Sequence, residues 1–233
     1  MNRTLSFAAI ALVALVAAGA WYITSQSSTA QTVPMGSTPL TATNSVVLTA
    51  TDDEAPAELS GIVEMTLGDE NAPVTVIEYA SFTCGHCANF HNDQLQQIKA
   101  DYVDTGKVKF IYRDVFFDRI GLWASMVARC EPARFFGMVD LLYTKQGEWL
   151  DGNDPVALSD NLRKLGKVAG MSEEKLTACM QDQDKAQSLV AWFQKNQEAD
   201  NIDSTPTLVI NGEKLSNMPY PEIKKILDAA LEN

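Results

Sequence analysis

The sequence predicts an α/β fold in which a helical subdomain is inserted into a small sheet, and three observations predict it. A β-branched, apolar stretch at 74–80 is followed by residues of helical spacing and by a second strand at 108–112, which makes a β-α-β unit. A long stretch of helical spacing with little strand character then runs from about Ile120 to Asp200. The chain ends with two short strands and an amphipathic helix, so the order is β-α-β, helical block, β-β-α.

The β-α-β unit is expected to form a parallel pair of strands. Residues 74–80 are almost all β-branched or apolar, which is typical of a buried strand. Ser81 is a residue type that starts helices, and apolar side chains then recur on one helical face to about Tyr102. Gly106 ends this helix, and 108–112 is the next strand. Because a helix connects the two strands, a right-handed crossover is expected.

Turn-forming residues divide the helical block and the final elements. Three breaks interrupt the helical pattern: Glu131-Pro132, Gly147 to Pro155 and Gly170 to Ser172. Residues 207–210 are predicted to form a strand, Asn211-Gly212 a tight hairpin turn, and 213–215 the returning strand. Pro221 is expected to begin the last amphipathic helix.

Residues 1–57 are predicted to be a targeting segment followed by a linker. An apolar run from Leu5 to Ile23 would span about 28 Å as a helix, close to the ~30 Å hydrocarbon core of a bilayer. An uncleaved membrane anchor is one interpretation of 1–23, and a cleaved signal peptide is the other, since Ala18-Gly19-Ala20 suits a cleavage site. Both interpretations send the rest of the chain out of the cytoplasm. Residues 24–57 are rich in Ser, Thr, Gln, Ala and Pro, and a flexible linker is expected there.

Composition excludes several classes of function for the remaining domain, 58–233. The chain carries 18 Lys and Arg against 30 Asp and Glu, a net charge of −12, so it lacks the clustered cations that nucleic-acid binding needs. Apolar residues make up 46% and charged residues 21%, which suits a globular core rather than disorder. Its 4 cysteines and 2 histidines are too few for a disulfide-dense miniprotein or an array of zinc sites.

The residues that can carry chemistry are Cys84-Gly85-His86-Cys87, at the junction of the first strand and its helix. A spacing of three places both sulfurs on one face of the first helical turn. The helix N-terminus favours a thiolate at Cys84, and Cys87, one turn further in, could attack a mixed disulfide formed on Cys84. His86 can stabilise that thiolate further. A pair whose reduced form is stabilised in this way is an oxidant.

Zinc binding, haem attachment and a purely structural role are each less favoured for the two cysteines. A zinc knuckle needs four ligands, and Cys130 and Cys179 do not form a second CxxC. His91 could add a ligand, but it is expected to face solvent. A haem attachment would need His directly after the second cysteine, where Ala88 stands. A purely structural disulfide would close a very small loop and stabilise little. We therefore expect redox chemistry with no metal and no cofactor.

The segment from Glu78 to Cys87, Glu-Tyr-Ala-Ser-Phe-Thr-Cys-Gly-His-Cys, together with Thr205-Pro206-Thr207 before a strand, resembles the DsbA branch of the thioredoxin superfamily. The resemblance covers about 58–233 and implies a thioredoxin fold with a helical insertion at about 118–200. It implies an exported thiol:disulfide oxidoreductase. One departure bears on its strength as an oxidant: Gly-His stands between the cysteines where the DsbA type member has Pro-His, and that dipeptide tunes the redox couple.

The resemblance also implies roles for three further residues. Glu78 would be a buried carboxyl beneath the CxxC, with a raised pKa, that moves protons when Cys87 attacks or leaves. The alternative is a strand residue that faces water. The Thr205–Pro206 bond would be cis and face the CxxC, and the Thr205 backbone would pair with a substrate strand. The alternative there is a trans proline that only ends a loop.

Cys130 and Cys179 lie in separate helical stretches and are expected to form a structural, non-catalytic disulfide, as in some DsbA-like proteins of alphaproteobacteria. Such a bridge would close a loop of about 50 residues and stabilise by up to ~4 kcal/mol in the chain-entropy model. The alternative is two separate buried thiols.

The expected activity is donation of a disulfide to reduced or misoxidised exported proteins. The resemblance implies reoxidation by a quinone-linked membrane protein of the DsbB type. We expect a monomer in the periplasm, either tethered to the inner membrane or released after signal cleavage. The alternatives are a disulfide isomerase or reductase, a periplasmic holdase, and a copper-delivery module that uses the same thiolates. Four aromatic residues form either an apolar rim for unfolded chains or part of the core: Phe82, Phe90, Phe116 and Phe117.

Overall fold

The computed structural model describes residues 61–232. The predicted signal or anchor at 1–23 and the predicted linker at 24–57 lie outside this range, so both stay predictions. Within 61–232, a five-stranded mixed sheet is combined with nine α-helices, which confirms the predicted α/β class. No helix in this part of the chain combines the length and the apolar character that a membrane crossing requires.

The sheet has the strand order β1-β3-β2-β4-β5. Its strands are β1 Met65–Leu67, β2 Val74–Ala80, β3 Val108–Asp114, β4 Thr207–Ile210 and β5 Glu213–Ser216. Strands β2 and β3 are parallel, as predicted, and the other neighbouring pairs are antiparallel. The predicted hairpin turn is confirmed: Asn211 and Gly212 both have positive φ, 47° and 87°, which is the backbone that a type I′ turn needs. The sequence did not predict the edge strand β1.

The helices lie where the periodicity placed them. Their bounds are α1 Gly85–Asn92, α2 Gln94–Ile98, α3 Arg119–Ala128, α4 Phe135–Thr144, α5 Gln146–Trp149, α6 Pro155–Val168, α7 Glu173–Gln181, α8 Gln183–Ala199 and α9 Tyr220–Leu231. Helices α3 to α8 all lie between β3 and β4 in the chain, so they form the predicted helical insertion. A π-helical turn at Lys99–Val103 extends α2, and a 3-10 turn at Pro132–Arg134 marks the first predicted break.

The core has two parts on opposite faces of the sheet, because neighbouring residues on a strand point to opposite sides. The larger part includes Phe82, Cys87, Phe90 and Tyr112, and helices of the insertion pack into it. The smaller part is formed by Tyr79, Val115, Phe193, Ile202 and Val209. This division places the CxxC helix on the larger core, so the second cysteine of the pair is shielded from water.

A disulfide and a buried ion pair hold the end of α3 in place. Cys130 and Cys179 are bonded, with their Cα atoms 5.7 Å apart, which confirms the predicted pairing and excludes two separate thiols. One residue earlier, the Arg129 guanidinium donates to the Asp114 carboxylate at 2.8 Å, and both side chains are 1% exposed. Ser125 donates to the other Asp114 oxygen at 2.6 Å, so this buried charge is well satisfied.

Candidate active site

The CxxC pair lies at the start of α1, as the sequence predicts. Cys84 is the N-cap residue, with extended backbone (φ −88°, ψ 117°), and its sulfur accepts a hydrogen bond from the backbone N–H of Cys87 at 3.4 Å. This is the position at which a helix offers unpaired N–H groups and the positive end of its dipole. Cys84 is partly exposed, whereas Cys87 is fully buried, and both are free thiols.

The two thiols differ strongly in acidity. The pKa of Cys84 is lowered to about 5, first because the Cys87 side chain donates a hydrogen bond to its sulfur, and then through Thr205 and the backbone N–H groups of Cys87 and His86. Burial acts against this effect without cancelling it. The pKa of Cys87 is raised, first because its thiol donates to Cys84, then by burial and by the charge of Glu78. The pair therefore has a partly exposed thiolate and a buried thiol at neutral pH.

His86 contributes a backbone N–H to the Cys84 thiolate. Its side chain is exposed, so the imidazole lies on the outer surface of α1. Stabilisation of the thiolate by the ring itself, which the sequence suggests, stays a prediction.

Glu78 is a buried carboxyl beneath the cysteine pair. It lies on β2 between Tyr112 of β3 and Leu208 of β4, and it is 0% exposed, which excludes the water-facing alternative. Both of its carboxyl oxygens lack a hydrogen-bond partner. Burial raises the pKa of Glu78 to about 8, and the negative charge of Cys84 acts in the same direction. At neutral pH this carboxyl is mostly protonated.

The loop before β4 faces the first cysteine. The Thr205–Pro206 peptide bond is cis, as the resemblance implies, and the trans alternative is wrong. The Cys84 sulfur lies 3.7 Å from the Thr205 carbonyl oxygen. Binding of a substrate strand by the Thr205 backbone stays a prediction.

Two contacts from the helical insertion hold the segment that leads into the CxxC, and the sequence did not predict either. Gln146 donates through Nε2 to the carbonyl oxygens of Phe82 and Cys84, at 2.8 Å and 3.1 Å. Thr83 donates to Asp118 at 2.9 Å, and the other Asp118 oxygen caps α3. These partners are separated from the CxxC segment by 35 to 64 residues of chain, so no local sequence pattern predicts the contacts.

One expectation about a surface residue is wrong, and the two alternatives for the aromatic residues are resolved for Phe82 and Phe90. His91 does not face solvent: it is 2% exposed, and its Nε2 lies 2.7 Å from Asp140 Oδ1. Phe82 and Phe90 are buried in the core and cannot form a rim for unfolded chains. Of the four aromatic residues, Phe117 is the exposed one, at 61%, and it lines a groove of about 640 Å³ beside Thr83.

Within the described part of the chain, no three His, Cys, Asp or Glu side chains converge in an arrangement that could hold a metal ion.

Comparison with known proteins places this arrangement among disulfide-exchange proteins. A protein-family profile described as thioredoxin matches residues 60–229. The chain is 30% identical over 169 residues to disulfide bond formation protein D of Bacillus subtilis, with 68% of this chain and 73% of that protein aligned. It is 29% identical over 161 residues to a Rickettsia bellii protein that carries the provisional name of protein-disulfide oxidoreductase. That alignment covers 68% of this chain and 61% of the Rickettsia protein, so the chain spans less than two thirds of that relative's length.

Solved structures share the same architecture. Wolbachia pipientis alpha-DsbA1 superposes with a TM-score of 0.65 and 25% identity, over 72% of this chain and 91% of that one. Oxidised BdbD from Bacillus subtilis superposes with a TM-score of 0.65 and 27% identity, over 73% of this chain and 94% of that one.

Proposed function

The chain belongs to the thioredoxin family, in its DsbA-like branch of protein-disulfide oxidoreductases, and on that premise we propose that it donates disulfides to folding proteins outside the cytoplasm. Cys84 and Cys87 are the redox pair, and the disulfide passes through a mixed disulfide on Cys84. One observation carries the proposal: the partly exposed Cys84 has a pKa of about 5, whereas the pKa of the buried Cys87 is raised.

An acidic first thiol favours disulfide donation over reduction. At neutral pH a thiol with a pKa of about 5 is almost entirely thiolate, and its hydrogen bonds stabilise the dithiol form of the protein. Stabilising the reduced form makes the oxidised form a stronger oxidant. A thiolate of low basicity is also a good leaving group, so a mixed disulfide on Cys84 resolves readily toward the substrate disulfide.

The proposed reaction has two steps. A substrate thiolate attacks Cys84 Sγ, the Cys84–Cys87 bond breaks, and its electron pair goes to Cys87 Sγ, which takes up a proton. A second substrate thiolate then attacks the substrate sulfur of the mixed disulfide, and Cys84 leaves as a thiolate. The substrate has lost two electrons, which the enzyme dithiol now holds.

Glu78 is the proposed source of the proton for Cys87. Its carboxyl is mostly protonated at neutral pH, and its charge, when it ionises, raises the pKa of the buried Cys87. When Cys87 leaves as a thiolate, a proton on Glu78 neutralises the charge without bringing water into the core. In the reverse direction, a carboxylate at Glu78 accepts the Cys87 proton and generates the attacking thiolate.

Substrate binding is proposed on two sides of Cys84. On one side, the Thr205 carbonyl oxygen lies beside the reactive sulfur and can pair with the backbone of an extended substrate segment. On the other side, the groove lined by Phe117, Ile120 and Leu150 offers apolar surface next to Thr83. Contacts to the backbone and to general apolar surface suit many unfolded chains rather than one sequence.

The cellular setting is also proposed. The apolar segment at 1–23 directs the domain to the periplasm, either as a membrane anchor or as a cleaved signal. There the protein acts as a monomer on reduced or misoxidised exported proteins. Its dithiol is then reoxidised by a quinone-linked membrane oxidase of the DsbB type.

A redox titration tests the proposal. The purified protein is equilibrated with mixtures of reduced and oxidised glutathione, and the fraction of free Cys84 and Cys87 is counted after alkylation. We expect a couple more oxidising than that of thioredoxin. In parallel, the oxidised protein should oxidise a reduced model protein, and the Cys84→Ser variant should not. With oxidised glutathione, the Cys87→Ala variant should form a mixed disulfide between Cys84 and glutathione and release reduced glutathione, and this bond should persist because no second enzyme thiol resolves it.

The redox titration and four further measurements separate the alternatives. A redox potential like that of thioredoxin would indicate that the protein reduces disulfides and does not donate them. Efficient repair of scrambled ribonuclease by a protein that light scattering shows to be an oligomer would favour an isomerase. Client protection that survives replacement of both cysteines would favour a holdase, and tight stoichiometric copper(I) binding without oxidase activity would favour metal delivery.

A further inference from the structure

A buried histidine that the proposed reaction does not use lies on the CxxC helix. His91 follows Cys87 by four residues, so the two side chains share one face of α1, one turn apart. Its Nε2 lies 2.7 Å from Asp140 Oδ1 of α4. The His91 side chain is 3% exposed and the Asp140 side chain is 62% exposed, so this pair connects the interior directly with solvent.

The other side of the His91 ring faces a polar cluster in the core. The ring lies against Tyr143, with 4.9 Å between ring centroids. The Tyr143 hydroxyl is 2.7 Å from the hydroxyl of Tyr112, and Tyr112 is the β3 partner of Glu78. The titratable groups in contact with His91 are therefore Asp140 and Tyr143 on α4. Tyr143 connects the ring to Tyr112 on β3, which is paired with Glu78 on β2, and Cys87 lies one turn away on the same helix.

Three atoms of this cluster have no hydrogen-bond partner: both carboxyl oxygens of Glu78, and Nδ1 of His91. A buried polar atom without a partner destabilises the folded state, and native structures contain few of them. Packing alone would be served better by apolar side chains at these positions. Unpaired atoms on two ionisable groups beside a redox-active sulfur are what proton exchange requires, since each must accept a proton at one stage and release it at another.

The proposed reaction needs such an exchange. Breaking the Cys84–Cys87 bond places an electron pair on the buried sulfur, and the proton that neutralises it comes from Glu78. In the reduced protein Glu78 is mostly protonated and Cys87 is a thiol, so Glu78 must regain from solvent the proton that it gives to Cys87, although it is 0% exposed. Reoxidation runs the other way and sends the proton out. The proton must cross the core in both directions.

We propose that His91, coupled to Asp140, is the residue through which the buried Cys87–Glu78 pair exchanges protons with solvent. The inference rests on the proposed function. When Cys87 leaves as a thiolate, Glu78 protonates it, His91 passes a proton inward to Glu78, and Asp140 supplies a proton from solvent to Nε2. During reoxidation, each transfer is reversed. His91 acts through Glu78 and does not touch substrate, so it is a positioning residue for proton transfer.

The alternative is that His91 and Asp140 only brace α1 against α4. A brace and a proton route predict different results, because a brace affects the stability of the fold and the equilibrium of the couple. A route for protons affects how fast equilibrium is reached and leaves its position unchanged.

The test measures the single-turnover rate at which the oxidised protein reacts with a reduced cysteine peptide. The rate is followed by rapid quenching and alkylation, in H₂O and D₂O, from about pH 5 to about pH 9. Three variants are compared with the wild type. His91→Phe keeps the ring on Tyr143 but removes both nitrogens, and Asp140→Asn changes only an exposed group. Asp140→Glu retains the carboxylate. The control is Asp228→Asn, another exposed carboxylate that bonds a buried ring residue, Tyr102, at 2.5 Å.

We expect His91→Phe and Asp140→Asn to slow the reaction about tenfold and to increase its solvent isotope effect, with the glutathione equilibrium unchanged. Asp140→Glu and Asp228→Asn should react at the wild-type rate. Wild-type rates and isotope effects in both His91→Phe and Asp140→Asn would overturn the inference, as would a shift of the equilibrium that accounts for the whole rate change. Should the wild-type protein itself fail to oxidise the peptide, the proposed function fails first.

Discussion

Glu78 and Tyr79 are neighbours on β2, yet their side chains lie on opposite faces of the sheet, and only Tyr79 has hydrogen-bond partners. Glu78 faces the CxxC helix, and neither of its oxygens has a partner. The Tyr79 hydroxyl, on the other face, donates to Asp200 and accepts a hydrogen bond from Arg113 at 2.7 Å. The strand therefore leaves one polar group unsatisfied, and that group lies beneath the reactive sulfurs.

The first prediction concerns Glu78→Gln and pH. The folded-state pKa of Glu78 is about 8, above its ordinary value of 4.5, so the folded protein binds the proton more tightly than the unfolded chain. The contribution of Glu78 to the free energy of unfolding is therefore most favourable below about pH 4.5, and it becomes less favourable as the pH rises to about 8. We expect Glu78→Gln to remove this loss and to be the more stable protein above about pH 8, by a few kcal/mol.

Urea unfolding of the reduced proteins at a series of pH values measures this effect. The matched control is Glu222→Gln, which replaces an exposed carboxyl on α9 and should leave the pH dependence unchanged. Parallel stability curves for wild type and Glu78→Gln would contradict the raised pKa. The variant should also slow peptide oxidation at neutral pH, because Gln cannot give a proton to Cys87.

The second prediction concerns the redox-linked stability of the protein. The pKa of Cys84 is lowered from 9.0 to about 5, so the reduced protein gains stability from its thiolate. That gain is complete above about pH 9 and is lost as the pH falls through about 5. The oxidised protein has no thiol to titrate, so its stability lacks this dependence. We expect the Tm of the reduced protein, relative to that of the oxidised protein, to rise with pH between these values.

Calorimetry of both redox forms across this pH range measures the difference, and thiolate absorbance measures the Cys84 titration directly. The Cys84→Ser variant is the control, since Ser does not ionise in this range. A Cys84 midpoint near its ordinary value would contradict the prediction, and with it the argument for disulfide donation.

The sequence predicted those parts of the fold and site that depend on local chemistry. The β-branched run of β2, the Asn211-Gly212 turn and the cysteine spacing each act within a few residues, so their patterns are visible in the chain. Strand β1 was missed because its three residues, Met65–Leu67, carry no alternation and are held by pairing with β3.

The environment of the CxxC was predictable only in part. His91 was expected in water because polar residues on short helices commonly face solvent, whereas α4 of the distant insertion covers it and supplies Asp140 as a partner. Phe82, which precedes α1, and Phe90, on α1, both lie in the core into which helices of the insertion pack. Contacts between segments that are far apart in the chain leave no periodic signal, and these contacts decide which polar groups are buried.

The third prediction tests the support that the insertion gives to the CxxC. Gln146 donates to the carbonyl oxygens of Phe82 and Cys84, so Gln146→Met keeps the length of the side chain and removes both donors. Each lost hydrogen bond leaves one carbonyl oxygen without this donor and lowers the free energy of unfolding by roughly 1 kcal/mol. We expect slower peptide oxidation by several-fold, with the helical content unchanged by circular dichroism. Gln97→Met, which replaces an exposed glutamine on α2, is the control and should behave as the wild type. Equal rates for both variants would show that the segment is held without Gln146.

The fourth prediction separates the structural disulfide from the redox pair. Cys130–Cys179 joins the end of α3 to α7 across a sequence separation of 49, and a loop of that length stabilises by about 4 kcal/mol in the chain-entropy model. We expect the double variant Cys130→Ala and Cys179→Ala to have a free energy of unfolding about 4 kcal/mol lower than that of the wild type, because its unfolded chain is less constrained. Urea unfolding measures this difference. Cys84 lies outside the helices that the bridge connects, so its thiol titration and the rate of peptide oxidation should match the wild type under conditions where both proteins are folded. A changed Cys84 titration in the folded double variant would instead connect the bridge to the active site and assign it a regulatory role.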